Sequence, residues 1–123
     1  MPTIRIQAIA PIGRSIDTLL TDCTAAAAKA LGIPQDWCWA LFQPVPPGSY
    51  AEGGQVWGEA DASRATALIS ITALEGRTAA LKAAVLAATA HAAAACLDLP
   101  LAQVFVEYRD IPQGQAFSGG EVV

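Results

Sequence analysis

The sequence predicts an α+β fold in which two β-α-β units form one four-stranded sheet with both helices on one face. The first observation is an internal repeat, since the Gly-Arg-Ser of residues 13–15 recurs as Gly-Arg-Thr at 76–78. The second is that each copy has an alternating apolar segment, a helical apolar stripe and another apolar segment, in that order. The third is the length of 123 residues, which is ordinary for one domain.

The repeat has three markers that occur in the same order in both copies. The paired segments are 13–15 with 76–78, 31–34 with 97–100, and 53–54 with 119–120. The first pair is offset by 63 positions and the other two by 66, which predicts a three-residue insertion in the helical part of the second copy. The two units span about residues 2–54 and 65–120 within a single domain, 1–123.

The first unit has the pattern of strand, helix and strand. Apolar and polar residues alternate over residues 3–9, which is typical of a strand with one buried face. Ser15 is suited to cap a helix whose apolar residues recur at three- and four-residue spacing up to Leu31. Pro34 prevents the helix from continuing, and the large residues of 37–42 predict a second strand.

The second unit repeats this order. Its predicted parts are a strand at 67–72, a cap at Thr78, a helix at 79–97, a stop at Pro100 and a strand at 103–108. A strand–helix–strand crossover is right-handed and makes the two strands of each unit parallel.

The sheet face away from the helices has a mixed character. Its predicted residues are Arg5, Gln7, Trp39, Ser70, Phe105 and Glu107. This set is too polar for a monomer core and too aromatic for plain exposure to solvent, so we expect this face to contact other subunits.

Charge and composition exclude several classes of partner. The net charge is −4 and Lys and Arg do not cluster, which argues against binding to nucleic acid or anionic membranes. The apolar segment 79–97 is mostly alanine and contains Lys82, Thr89 and His91, so we interpret it as a buried or interfacial helix rather than a membrane span.

Cysteine and histidine usage does not point to a metal. Cys23, Cys38 and Cys96 are far apart without a C-x-x-C motif, and His91 is the one histidine, so no zinc site is expected. The first residues lack the features of a signal peptide, and together with the odd number of cysteines they predict a cytoplasmic protein with reduced thiols.

Met1-Pro2 leads directly into the first strand, Leu-Glu-Gly-Arg-Thr at 74–78 precedes an alanine-rich helix, and the two units have Gly-Gly tails. In these features the chain resembles the tautomerase superfamily. The second unit is similar to 4-oxalocrotonate tautomerase, and the first is closer to macrophage migration inhibitory factor. The resemblance implies a homotrimer, an active site where subunits meet, and catalysis without a cofactor.

Pro2 is the candidate catalytic residue that this resemblance implies. A free α-amine has a pKa near ~8, and burial or nearby positive charge lowers it. Once Met1 is removed, the neutral secondary amine of Pro2 is able to act as a general base. Arg77 is the candidate for binding a substrate carboxylate, because it matches the substrate-binding arginine of 4-oxalocrotonate tautomerase and lies at a predicted helix N-terminus.

The remaining candidate residues form the expected pocket wall. Trp39, Tyr50, Phe105 and Phe117 supply aromatic surface, and Ile33 stands where macrophage migration inhibitory factor has a pocket lysine. Glu107 is interpreted either as a general acid in the pocket or as a partner of one of the arginines.

Three departures from the superfamily narrow the expected chemistry. Phe105 replaces the second arginine of 4-oxalocrotonate tautomerase, Leu74 replaces an arginine of the dehalogenases, and Glu107 replaces their tyrosine. A cation pair that would activate water is therefore missing, which favours keto–enol tautomerisation of a small monocarboxylic acid. The alternatives are a hydratase, dehalogenase or decarboxylase on the same scaffold, or a non-enzymatic binding protein in which a retained Met1 blocks Pro2.

Overall fold

A computed structural model describes residues 1–10, 13–61 and 65–123 of the chain. Within these residues the chain forms two α-helices and eight β-strands. In chain order they are β1 (Thr3–Ala8), α1 (Ile16–Leu31), β2 (Trp39–Pro44), β3 (Tyr50–Glu52), β4 (Gln55–Trp57), β5 (Ala67–Leu74), α2 (Ala79–Leu97), β6 (Val104–Ile111), β7 (Phe117–Ser118) and β8 (Glu121–Val122).

The main sheet has the strand order β2-β1-β5-β6. The β1–β2 and β5–β6 pairs are parallel, whereas the two units meet through the antiparallel β1–β5 pair. Both helices pack on the same face, because inward residues of the sheet and of both helices form one core cluster. Its fully buried side chains include Ile4, Ile6, Leu19, Ile69, Ile71 and Val85. The predicted tandem β-α-β fold is confirmed.

The helix ends show that the two units are repeats. Ser15 Oγ accepts a hydrogen bond from the Thr18 N–H at 3.3 Å, and Thr78 Oγ1 accepts one from the Leu81 N–H at 3.2 Å. The α1 helix has 16 residues and the α2 helix has 19, which is the predicted three-residue insertion.

The predicted start of the second strand is wrong. Pro34 begins a 3₁₀ turn over Gln35–Trp37, in which the Cys38 N–H donates to the Gln35 carbonyl at 2.9 Å, so β2 begins only at Trp39. A 3₁₀ turn also follows Pro100, over Leu101–Gln103. Trp37 therefore lies in a turn at the edge of the sheet rather than inside a strand.

The segment predicted as a loop at residues 44–63 contains a β-hairpin. Strands β3 and β4 pair in it, which agrees with the short strand expected near Val56 and Trp57. The last two residues of that segment lie outside the described residues. The tail forms a second, smaller hairpin from β7 and β8.

The α2 helix is, by length and composition alone, sufficient to cross a membrane. In the structure it packs along α1 and against β6, and Val85, Thr89 and Ala93 are buried in these contacts. The contacts agree with the prediction of a buried or interfacial helix.

Two of the three cysteines are core residues. Cys23 and Cys38 are buried and Cys96 is half-buried, and all three are free thiols. Burial raises the pKa of Cys23 to about 12, so its thiol stays protonated at neutral pH.

Candidate active site

Pro2 is fixed at the start of the sheet. Its ring is buried, and its carbonyl accepts a hydrogen bond from the Trp39 N–H at 3.0 Å, which continues the β1–β2 ladder by one residue. Proline suits this place because it precedes the strand and has no N–H to leave unpaired. The position of the residue is therefore set by the sheet and not by a loop.

Arg77 lies on the short turn between β5 and α2. Gly76, which precedes it, has φ of 119°, a left-handed value that favours glycine, and Thr78, which follows it, caps α2. Arg77 is half-buried, and its Nη1 donates to the Leu74 carbonyl at 3.4 Å. No carboxylate among the described residues lies within ion-pair distance of it. Its cationic group is thus available for an anionic ligand at a helix N-terminus.

The repeat mate of Arg77 has a different environment. Arg14 Nη2 lies 2.9 Å from Asp98 Oδ2, at the C-terminal end of α2. The same Gly-Arg turn therefore gives an arginine paired with Asp98 in the first unit and, in the second, one without a carboxylate partner among the described residues.

Pro2 and Arg77 line one cleft of about 560 Å³. The described residues that line it are Met1, Pro2, Trp37, Leu74, Glu75, Gly76 and Arg77. The two residues that the sequence singled out first, one from each unit, are therefore brought together. Met1 is present in the structure as part of the cleft wall, so its removal would uncover the nitrogen of Pro2 at this place.

The pKa of the Cys38 thiol is affected by the positive charges near the cleft. Burial raises the pKa of the Cys38 thiol, while the positive charges of Arg77 and of the terminal amine act in the opposite direction. Both cations therefore act on the same buried thiol.

The other predicted site residues do not line this cleft within one chain. Trp39 and Phe105 are 50% and 55% exposed on the open face of the sheet, where Glu107 is held by Arg109, with Oε1 2.8 Å from Nη2. Phe105 and Glu107 line a separate depression of about 280 Å³ on that face. The structure of one chain thus favours the interpretation of Glu107 as an arginine partner.

Ile33, Tyr50 and Phe117 are also outside the cleft. Ile33 packs against the main core. Tyr50 belongs to the first hairpin, where it packs on Trp57. Phe117 belongs to the second hairpin and is 72% exposed.

Two lining residues, Trp37 and Glu75, are ones that sequence reasoning missed as parts of the site. Trp37 is 51% exposed, and it lines the cleft because the 3₁₀ turn after Pro34 ends beside Pro2. The sequence feature that could have indicated this turn is the proline after each helix. Pro34 and Pro100 both follow a helix end and both precede a 3₁₀ turn. Glu75 precedes the Gly-Arg turn, and nothing local to it indicates that its backbone and side chain contact the tail.

The chemistry that this arrangement supports is proton transfer with anion binding. The described part of the cleft offers the Pro2 nitrogen as a base after processing, the Arg77 guanidinium and the aromatic surface of Trp37. Within the described residues no group of three His, Cys, Asp or Glu side chains is placed to hold a metal ion.

Comparison with solved structures gives matches over nearly the whole chain. The chain is similar to the fused 4-oxalocrotonate tautomerase F6, described as a wild-type asymmetric trimer, with 28% identity, a TM-score of 0.83 and coverage of 98% of this chain and 94% of that one. No protein-family model and no curated protein matches the chain.

Two further matches show the same fold at lower identity. One is N1, a member of the cis-3-chloroacrylic acid dehalogenase family, with 18% identity, a TM-score of 0.79 and coverage of 98% of this chain and 82% of that one. The other is macrophage migration inhibitory factor of Toxoplasma gondii, with 20% identity, a TM-score of 0.75 and coverage of 98% and 99%. The resemblance to the tautomerase superfamily is thereby confirmed, and the chain has the fused two-unit form of its fold.

Proposed function

We propose that this protein is a cofactor-independent keto–enol tautomerase of a small 2-hydroxy-enoic or 2-oxo carboxylic acid, with Pro2 as general base after removal of Met1. The observation that carries the proposal is the cleft shared by Pro2 and the unpaired Arg77. The similarity to the fused 4-oxalocrotonate tautomerase F6 supports it at the level of the superfamily.

The proposed reaction is a 1,3-transfer of one proton. The Pro2 nitrogen takes the proton of the C2 hydroxyl, and the O–H electron pair becomes the new C=O bond as the C2=C3 bond electrons move to C3. The resulting prolinium returns its proton to C3, so that the base is regenerated and no other reactant is needed. Arg77 holds the substrate carboxylate in two charge-assisted hydrogen bonds and stabilises the enolate character of the transition state.

The lining of the cleft favours a monocarboxylic substrate. Among the described lining residues Arg77 is the one guanidinium, and Glu75 is acidic, so these residues offer no cationic partner to a second carboxylate. Trp37 offers its exposed ring to a flat unsaturated or aromatic group. Phenylenolpyruvate-like acids combine these two features.

We further propose that the working form is a homotrimer. The open sheet face exposes Trp39, Leu41, Leu68 and Phe105 in the single chain, and an apolar area of this kind needs a partner surface. The trimer of the similar fused tautomerase supports a threefold arrangement. Predicted pocket residues outside the cleft, such as Phe105 and Phe117, would then be contributed by a neighbouring subunit.

The test is a substrate panel with product identification. Ketonisation of phenylenolpyruvate and of 2-hydroxy-2,4-pentadienoate is followed by ultraviolet absorbance, and halide release or hydration is measured with 3-haloacrylates and alkynoates. We expect catalysed ketonisation and no turnover of haloacrylates or alkynoates, because the described residues of the cleft lining include one cationic side chain. Turnover of these compounds in place of enol acids would instead support the hydratase or dehalogenase alternative.

Intact mass of the natively expressed protein distinguishes the non-enzymatic alternative. We expect the mass of the chain without Met1. A retained Met1, with no ketonisation above the buffer rate, would contradict the proposal, because the Pro2 nitrogen would then be an amide without basicity.

A further inference from the structure

The two hairpins of the molecule are repeat mates. In the first, the Gly48 N–H donates to the Trp57 carbonyl at 2.9 Å, and in the second the Gly114 N–H donates to the Val123 carbonyl at 2.9 Å. Each acceptor and each donor lies 66 positions from its mate. The backbone frame of the hairpin is therefore the same at the two ends of the sheet.

The interior of the first hairpin is filled by an aromatic pair. The rings of Tyr50 and Trp57 meet edge to face, with centroids 6.3 Å apart and planes at 85°. Trp57 is only 8% exposed and forms a second core cluster with Ile9 and Ala65, against which Val45 packs. Ala65 is the repeat mate of Pro2. In the first hairpin the aromatic cluster therefore packs on the alanine that stands where the other unit has its proline.

The second hairpin lacks this aromatic pair. The mates of Tyr50 and Trp57 are Ala116 and Val123, two small residues in place of two large rings. A cavity of about 320 Å³ lies beside Val123. Its lining is Leu74, Glu75, Ile111, Gln113 and Val123.

This cavity adjoins the Pro2–Arg77 cleft. Leu74 and Glu75 line both spaces, so the two spaces are neighbours at these two residues. The boundary is fixed by hydrogen bonds: the Glu75 N–H donates to the Ile111 carbonyl and the Gln113 N–H donates to Glu75 Oε1, each at 2.9 Å. The tail that forms the far wall is thus tied to the turn that carries Arg77.

We propose that this cavity, which we call the tail subsite, binds the distal apolar group of the substrate. The inference rests on the proposed function, which places the carboxylate and the reacting atoms of the substrate. It adds the position of the group at the other end of the substrate. Leu74, Ile111 and Val123 offer an apolar wall, and the Glu75 carboxylate disfavours a second anion at its entrance. The occupant is therefore an uncharged aryl or alkyl group attached to the 2-hydroxy-enoate, and 320 Å³ is within the size range of small-ligand sites.

The test introduces into the second hairpin, at Val123, the tryptophan that the first hairpin has at position 57. In Val123→Trp the indole should fill the tail subsite, as Trp57 fills its own hairpin. We expect KM for phenylenolpyruvate to rise at least about tenfold, while kcat/KM for the short 2-hydroxy-2,4-pentadienoate stays unchanged. The matched control is Val122→Trp, which places the same ring on an exposed neighbouring residue and should change neither value.

Equilibrium binding separates failure of this inference from failure of the proposed function. Calorimetric binding of phenylpyruvate, the keto product, needs no turnover and should weaken in Val123→Trp but not in Val122→Trp. If the wild type turns over neither enol and binding still weakens selectively, the proposed function is wrong and the tail subsite stands. Three results for Val123→Trp would each overturn the tail subsite. They are equal effects on the long and the short substrate, unchanged binding of phenylpyruvate, and an altered oligomeric mass.

Discussion

At the scale of single residues, the same motif has acquired two roles in one chain. Arg14 and Arg77 follow a glycine and precede a helix cap in both units, yet Arg14 is bound to Asp98 and Arg77 faces the cleft. What distinguishes them is the partner that the tertiary fold supplies. Local sequence identifies the turn, while the availability of the cation depends on the neighbouring unit.

Replacement of the two arginines tests this difference. We expect Arg77→Ala to lower kcat/KM for the best enol acid by roughly 10- to 100-fold, because the substrate carboxylate loses its charge-assisted hydrogen bonds. Arg14→Ala is the matched control and should leave kcat/KM unchanged, since it loses only an exposed ion pair. Similar losses in both variants, measured by steady-state kinetics, would contradict the assignment.

Glu52 makes a pH-dependent contribution to stability. Hydrogen bonds from the Thr66 hydroxyl, and next from the Tyr50 hydroxyl, hold the pKa of Glu52 below its usual 4.5. Because the folded pKa is lowered, this stabilisation is present above pH 4.5 and is lost as the pH falls through the folded pKa.

The variant Glu52→Gln should therefore differ most from the wild type at neutral pH. We expect the difference in free energy of unfolding, from urea titrations, to shrink as the pH is lowered below 4.5. A difference that is the same at pH 7 and at acid pH would show that the carboxylate charge plays no part.

At the scale of elements, the helices were predicted well because their signals are local. The caps at Ser15 and Thr78 and the stops at Pro34 and Pro100 mark the helix ends in the sequence, and the structure places them there. The second strand was predicted two residues early, because Trp37 continues an apolar run although a turn includes it. That turn places Trp37 in the cleft, so the same error hid a site residue.

Removal of the two helix caps should have unequal consequences. Ser15→Ala and Thr78→Ala should each lower the free energy of unfolding by about 1 kcal/mol, because each leaves a helix N–H without its acceptor. Thr78→Ala should in addition raise KM, since Thr78 follows Arg77 directly and fixes the turn that presents it. Chemical denaturation and steady-state kinetics measure the two effects, and an equal rise of KM in Ser15→Ala would count against a specific role of the second turn.

At the scale of the whole molecule, the open sheet face is the surface through which we propose that the chain assembles. Its alternation of residues was predictable from the strands, and the structure confirms that Trp39 and Phe105 are exposed in the single chain. The cleft itself was predictable only in part. Pro2 and Arg77 lie in different units, 75 positions apart, and the antiparallel β1–β5 pairing that brings them together is a tertiary feature.

A charged residue on this face should disrupt assembly. We expect Phe105→Glu to convert the trimer into smaller species, because it places an unpaired charge in an apolar contact. Leu81→Glu, on an exposed part of α2, is the control and should keep the wild-type mass. Light scattering after size-exclusion chromatography measures the masses, and an unchanged mass for Phe105→Glu would contradict the assignment of this face.

The central claim is that the nitrogen of Pro2 removes the substrate proton, and the most direct test compares three forms of the protein in one ketonisation assay. They are the processed wild type, Pro2→Ala with its mass verified, and wild type that retains Met1. We predict that Pro2→Ala is slower by about tenfold or more, with a primary amine in place of the proline, and that the Met1-retaining form is inactive. Equal ketonisation rates for the wild type and Pro2→Ala, or full activity with Met1 in place, would contradict the account.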